Sequence, residues 1–200
     1  MDIHVIGPEA TTEERDAVDG LLGVPGSGWE GGRRDMARDG RTARGGAARA
    51  RSQRHLLLPA FHAVQDRVGW VSRGAMNYIC TRLVVPPAEA WGVLTFYHLF
   101  ATEPHPRTVA HVCDDIACLA RGAEALCATL AATLGPEVRA RVCRDTTWKR
   151  SPCLGQCERA PVALVVRAGD PGQRLVVAPV ASAEAVARAL EPGTAGHLTE

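Results

Sequence analysis

Four cysteines in the C-terminal half of this chain stand at spacings that can hold metal. Cys113-Asp-Asp-Ile-Ala-Cys118 leaves four residues between its thiols, and Cys153-Leu-Gly-Gln-Cys157 leaves three. Thiolate pairs of this kind suit either zinc or an iron–sulfur cluster. The chain has 7 cysteines, an odd number. Its N-terminal stretch (Met1, Asp2, then Glu9, Glu13, Glu14 and Asp16) lacks the basic region and the continuous apolar run of a secretory signal. A disulfide framework is therefore not expected, and a cytoplasmic protein with metal or redox chemistry is.

Other chemistries are weaker. The net charge of +1 (23 basic against 22 acidic residues) gives no overall field for nucleic acid or membrane, and an aromatic content of 4% leaves few rings for base stacking. Apolar stretches such as Val162 to Val166 are far too short to span a bilayer. Gly26-Ser27-Gly28-Trp29-Glu30-Gly31 spells a dinucleotide fingerprint, but it lacks a preceding strand and a following helix and runs into Gly32-Arg33-Arg34. No nicotinamide or flavin site is visible, and no residue reads as acid, base or nucleophile. Cys80 and Cys127 lie on apolar helical stripes, where a small buried thiol is the ordinary reading. Cys143 ends an expected strand and is the remaining candidate for a substitute ligand. His111 precedes Cys113 by two on one strand face, but the paired Cys-His motifs of a Rieske centre are absent. Trp91, Phe96, Tyr97 and Phe100 read as core packing or a subunit interface.

The elements that must position the cysteines begin after a composition shift near His55. Residues 23–54 are rich in Gly, Ala and Arg, with Arg33, Arg34, Arg38, Arg41, Arg44, Arg49, Arg51 and Arg54 and almost no periodic apolar pattern. They read as a flexible extension, with one short helix expected within 8–22. Leu57, Phe61, Val64 and Val68 then recur at helical spacing up to Gly69. Ser72 can cap a second helix carrying Met76, Ile79, Cys80 and Leu83, and a third starts after Val85-Pro86-Pro87. Thr108 to Val112 is a β-rich run that ends at Cys113. A helical stripe follows through Ala123, Leu126, Cys127, Leu130, Ala131 and Leu134, and Val138 to Val142 reads as the second strand. Pro161 to Val166 and Arg174 to Ala178 form a hairpin about Gly169-Asp170-Pro171-Gly172, and Ser182 caps a last helix through Val186 and Leu190. The order βα-β-ββ-α is that of a thioredoxin-like α/β domain, preceded by a small helical subdomain.

A helical crossover makes the first two strands parallel, so both end at the same edge of the sheet. Cys113 and Cys118 follow the first strand, Cys153 and Cys157 the second, and both pairs converge on one rim. Structural zinc favours tight knuckles in a fold built around the metal, whereas an α/β core here is complete without it. Two separated thiolate pairs suit two irons. Spacing and topology thus favour iron–sulfur over zinc without excluding zinc.

Residues 56–165 resemble the thioredoxin-like [2Fe–2S] E-type subunits of respiratory NADH dehydrogenases, with their relatives in soluble NAD-dependent formate dehydrogenases and hydrogenases. The resemblance rests on Leu58-Pro59, Gly69-Trp70-Val71, Ala90-Trp91-Gly92-Val93-Leu94-Thr95-Phe96-Tyr97, Cys113 with Cys118, and Cys153-Leu154-Gly155-Gln156-Cys157 with Ala160-Pro161. It implies that Cys113, Cys118, Cys153 and Cys157 ligate one [2Fe–2S] cluster. It also implies that FMN and NAD(H) sit on a larger iron–sulfur partner subunit, and that this chain relays electrons without inserting into a membrane. The fold it implies commonly carries a cis bond before the residue matching Pro161. Where the family often has Thr after its first cysteine, this chain has Asp114-Asp115. Two carboxylates there would lower the potential, or one of them simply caps the helix entering Cys118. The run Trp148-Lys149-Arg150-Ser151-Pro152 would compensate cluster charge or face a partner.

The expected organisation is a flexible extension (1–54), a helical subdomain (55–105), a thioredoxin-like [2Fe–2S] domain (106–192) and a tail (193–200). The expected role is an electron-transfer subunit of an NADH dehydrogenase-type complex. The alternatives are the equivalent subunit of a soluble formate dehydrogenase or hydrogenase, a zinc-stabilised interaction module, and an Arg-tail nucleic-acid binder.

Overall fold

The computed structural model describes residues 7–26, 28, 52–137 and 146–192. The expected strand Val138–Val142, Cys143, most of the arginine-rich stretch and the 193–200 tail lie outside them. The chain divides into two compact units, Met1–Glu103 and Pro104–Glu200.

The first unit is helical. Helix α1 (Thr12–Leu22) opens with a capping box: the Thr11 hydroxyl accepts the Glu14 N–H at 3.3 Å and the Glu14 carboxylate accepts the Thr11 N–H at 2.8 Å. Helix α2 (Leu57–Val68) buries Leu57, Phe61 and Val64 and stops at Gly69, whose φ of +99° is the left-handed cap that glycine supplies. Helix α3 (Arg73–Leu83) is capped by Ser72, whose hydroxyl accepts the Ala75 N–H at 2.9 Å. Helix α4 (Pro87–Phe96) starts on proline, as expected. Phe61, Ile79, Leu83, Leu94, Val64 and Val71 fill the core.

Residues 8–22 depart from the expected extension. Ala10, Ala17 and Val18 join that core, and the Asp19 carboxylate accepts the Tyr78 hydroxyl at 2.7 Å and pairs with Arg82 on α3. A Cβ on Gly74 would stand 2.2 Å from the Glu9 carbonyl oxygen, so the lead-in to α1 lies directly on the α3 backbone. The segment is rich in acidic residues, and two buried alanines and a valine make too small an apolar stripe to announce a docking face. Of the four aromatics after Ala90, only Phe100 is buried, while Trp91, Phe96 and Tyr97 are exposed, with Phe96 at 78%. Those three are therefore not core packing.

The second unit is a four-stranded sheet in the order β2-β1-β3-β4, built from β1 (Thr108–Cys113), β2 (Thr146–Ser151), β3 (Ala163–Arg167) and β4 (Gln173–Val177). β2 runs parallel to β1, while β3 is antiparallel to both β1 and β4. A short helix α5 (Ile116–Leu119) follows β1. Helices α6 (Ala123–Leu134) and α7 (Ala183–Leu190) then pack on each other and on the sheet. Ala110, Val112, Leu126, Leu130, Trp148, Val165, Val186 and Leu190 form the core between them. This is the thioredoxin-like arrangement expected from the sequence. The parallel partner of β1, however, is Thr146–Ser151, whose sequence pattern reads as loop. It lies at the sheet edge, where charged residues such as Lys149 and Arg150 are normal.

Candidate metal centre

The parallel register sets the site. Cys113, the last residue of β1, pairs with Ser151, the last of β2, and the Asp114 N–H donates to the Ser151 carbonyl at 3.2 Å. The two strands thus end level, and each releases its chain into a cysteine-bearing loop on the same rim. After β1, Asp114 and Asp115 lead into α5, which carries Cys118. After β2, Pro152 leads into Cys153-Leu154-Gly155-Gln156-Cys157, and Cys157 opens a 3-10 turn through Arg159. The chain then passes a cis Ala160–Pro161 bond, as expected, and the Cys113 N–H donates to the Val162 carbonyl at 2.9 Å.

The four expected ligands lie on this rim as two separate close pairs. The Cys153 and Cys157 Sγ atoms are 3.4 Å apart, and the Cys113 and Cys118 thiols form a second hydrogen-bonded pair. The pairs also sense each other, because Cys157 lies close enough to feel charge on Cys113 and to act on Cys118. Cys113 and Cys118 are each only 2% exposed, packed with Ala123, Ala160 and Val162, whereas Cys153 and Cys157 are exposed. Burial, followed by the hydrogen bond to Cys113, pushes the Cys118 thiol up to about 11, and the hydrogen bond with Cys153 raises Cys157. Bringing four thiolates this close is unfavourable without bound cations, so metal binding would expel their protons.

Among the described residues, no three His, Cys, Asp or Glu side chains are placed to hold one metal ion. The thiols are arranged as two close pairs instead. A donor set of two thiols plus two thiols fits a two-iron cluster, which takes two thiolates per iron, better than one tetrahedral ion.

The charged neighbours divide their tasks. Asp115 caps α5, its Oδ1 accepting the Ile116 N–H at 2.8 Å, which bears out the plainer of its two readings, while its Oδ2 accepts the Cys153 N–H at 3.2 Å. Asp114 is paired with Arg150 at 3.1 Å, and Arg150 also forks onto Glu124 at 2.8 and 2.9 Å. Within the basic run before Cys153, Arg150 is therefore committed to ion pairs inside the domain. Arg150 neutralises Asp114, and the Trp148 indole donates to the Gly135 carbonyl at 3.0 Å. Lys149 is lowered by burial. In the second loop Gly155 takes φ +77° and aims its N–H at the Cys153 sulfur, 3.4 Å away.

Sequence reasoning misses that N–H donor and the Arg150–Asp114 pair. A glycine inside a five-residue cysteine loop is the available signal for the first, but the second spans a register that local sequence does not supply. Cys80 and Cys127 are buried, as expected; desolvation pushes Cys80 up to about 12 and raises Cys127. His111 is a buried residue of β1, 4% exposed.

Comparison with known proteins gives the family of the chain. Residues 44–176 match the family described as thioredoxin-like [2Fe–2S] ferredoxin. An E-type subunit of the NADH-quinone oxidoreductase of Rhizobium meliloti, the second of that type, is 34% identical over 121 residues, which covers 60% of this chain and 71% of that protein. The E-type subunit of the Pseudomonas aeruginosa NADH-quinone oxidoreductase is 31% identical over 110 residues, 54% of this chain and 66% of that one. Its counterpart in Escherichia coli is 30% identical over the same shares. The crystal structure of an NAD+-reducing [NiFe]-hydrogenase in the air-oxidized state superposes with a TM-score of 0.52 at 25% identity, over 66% of this chain. This chain spans only 22% of that hydrogenase chain. No helix among the described residues is long and apolar enough to cross a membrane. With a sheet that brings two cysteine pairs to one rim and a match across two thirds of its length, the chain belongs to the thioredoxin-like [2Fe–2S] ferredoxin family and takes one [2Fe–2S] cluster as its cofactor.

Proposed function

We propose that this chain is the electron-transfer subunit of an NAD(H)-linked oxidoreductase of the NADH-quinone oxidoreductase type, with Cys113, Cys118, Cys153 and Cys157 as its cluster ligands. The observation that carries the reading is the meeting of two thiol pairs at level ends of parallel strands. When bound, the cluster supplies one-electron chemistry. The protein's own part is to hold four thiolates, keep water from the Cys113–Cys118 side, and set the charge and hydrogen bonding around the sulfurs. Gly155 contributes an N–H donor, and Arg150 offsets the Asp114 carboxylate. Hydride chemistry, with FMN and NAD(H), belongs to an iron–sulfur partner subunit, and the complex works on the cytoplasmic side. The organisation proposed is an extension, a helical subdomain that takes in residues 8–22, a [2Fe–2S] domain and a tail. The paired thiols speak against a zinc module built on one tetrahedral ion.

A second setting is a soluble NAD-linked hydrogenase or formate dehydrogenase, favoured by the likeness to the NAD+-reducing hydrogenase. The test is anaerobic stopped-flow mixing with NADH, following visible absorbance. NADH alone should leave the loaded chain oxidised, and adding a flavin- and NAD(H)-binding partner subunit of this type of complex should bleach it. Bleaching by NADH without a partner, or none with it, would overturn the proposal.

A further inference from the structure

We propose that Asp115 is a positioning residue for the metal centre, its carboxylate latching the two cysteine loops together. The inference rests on the ligand set proposed above. One carboxylate oxygen accepts the Ile116 N–H at the start of the Cys118-bearing helix, at 2.8 Å, and the other accepts the N–H of Cys153, at 3.2 Å and 38 residues away. A single side chain thereby fixes the backbone of a cysteine in one loop and the entry to a cysteine in the other.

The geometry calls for two acceptor oxygens and no donor. An ionised Asp has both, whereas Asn offers one oxygen and turns an NH2 group toward the second N–H. Charge-assisted bonds of this sort are the stronger kind. Asp114 cannot substitute, because its carboxylate is held by Arg150. The adjacent acidic residues thus have different work: Asp114 belongs to an ion-pair network with Arg150 and Glu124, and Asp115 sets the separation of the thiol pairs. Residues that orient metal ligands through one hydrogen bond commonly change metal retention when altered, on the order of 10- to 100-fold.

The test uses the full chain with Asp115→Asn, a near-isosteric change, beside Asp114→Asn and wild type. In metal-free protein, amide hydrogen exchange at Cys153 should be slow in wild type and Asp114→Asn and fast in Asp115→Asn. In protein loaded anaerobically with iron and sulfide, Asp115→Asn should release iron to a chelator on the order of tenfold faster than wild type. Its reduced EPR line shape should change as well, and Asp115→Glu, which restores both oxygens, should recover part of the retention. An unchanged Cys153 amide, or a freed amide with unchanged iron release, would overturn the inference. A wild-type chain that takes up no iron and sulfide would instead sink the ligand assignment itself.

Discussion

Replacing Gly155 with alanine isolates one hydrogen bond to a ligand sulfur. Gly155 sits at φ +77°, and a Cβ built there meets nothing within 4 Å, so the substitution meets a backbone penalty without a clash. That penalty is about 1–2 kcal/mol for an alanine held left-handed. The loop relieves it by rotating the peptide, which withdraws the N–H from the Cys153 sulfur, 3.4 Å away in the wild-type chain. An N–H donor favours the more negative, reduced state, so its loss lowers the midpoint potential. If about 1 kcal/mol of the bond differs between oxidation states, the shift is about 40 mV, since about 59 mV corresponds to a tenfold change for one electron. Anaerobic redox titration followed by EPR measures it. The melting temperature of the metal-free second unit should fall by about 5–10 °C alongside. A fully loaded Gly155→Ala chain whose potential equals or exceeds that of wild type would refute the reasoning.

Other expectations are simpler. Gly74→Ala drives a Cβ to 2.2 Å from the Glu9 carbonyl oxygen and should destabilise the first unit by about 3 kcal/mol, seen as an earlier thermal transition; melting with wild type would contradict it. Arg150→Gln frees the Asp114 and Glu124 carboxylates, so the potential should drop while the melting temperature changes little; a rise in potential would count against the network. Cys118, raised from an ordinary 9.0 to about 11 mainly by burial, contributes to the pH dependence of metal-free protein together with Cys80, Cys127 and Cys157, which are raised in the same direction. Below pH 9 these thiols are protonated folded or unfolded. Above it the unfolded chain ionises first, so stability should fall between pH 9 and about 11, measured by urea unfolding, and a flat profile would contradict the upward shift of these thiols.

How much is legible in the sequence depends on whether the signal is local. The stripe Leu57, Phe61 and Val64, the Ser72 cap and the βα-β-ββ-α order each follow from neighbours a few residues apart, and all appear in the fold. The convergence of the cysteine pairs is also readable, because a helical crossover forces parallel strands to end together. The identity of the second strand is not. Thr146–Ser151 carries lysine and arginine because it is an edge strand, and a period count treats such a segment as loop. Asp19–Arg82 and Asp114–Arg150 each join residues far apart in the chain, and nothing near them in sequence announces the pairing. Asp115 lies between, since its cap is local but its bond to Cys153 depends on register.

What Cys113, Cys118, Cys153 and Cys157 hold is the most direct question to put to the protein. Iron, acid-labile sulfide and zinc should be quantified in the anaerobically purified full chain, with EPR after dithionite reduction and each of the four cysteines changed to serine in turn. Two irons and two sulfides per chain are expected, with an EPR signal from the reduced form. All four serine variants should be altered, and Cys80→Ser and Cys127→Ser should leave the signal intact. One zinc per chain with no sulfide, or a cluster indifferent to any of the four, would contradict the assignment.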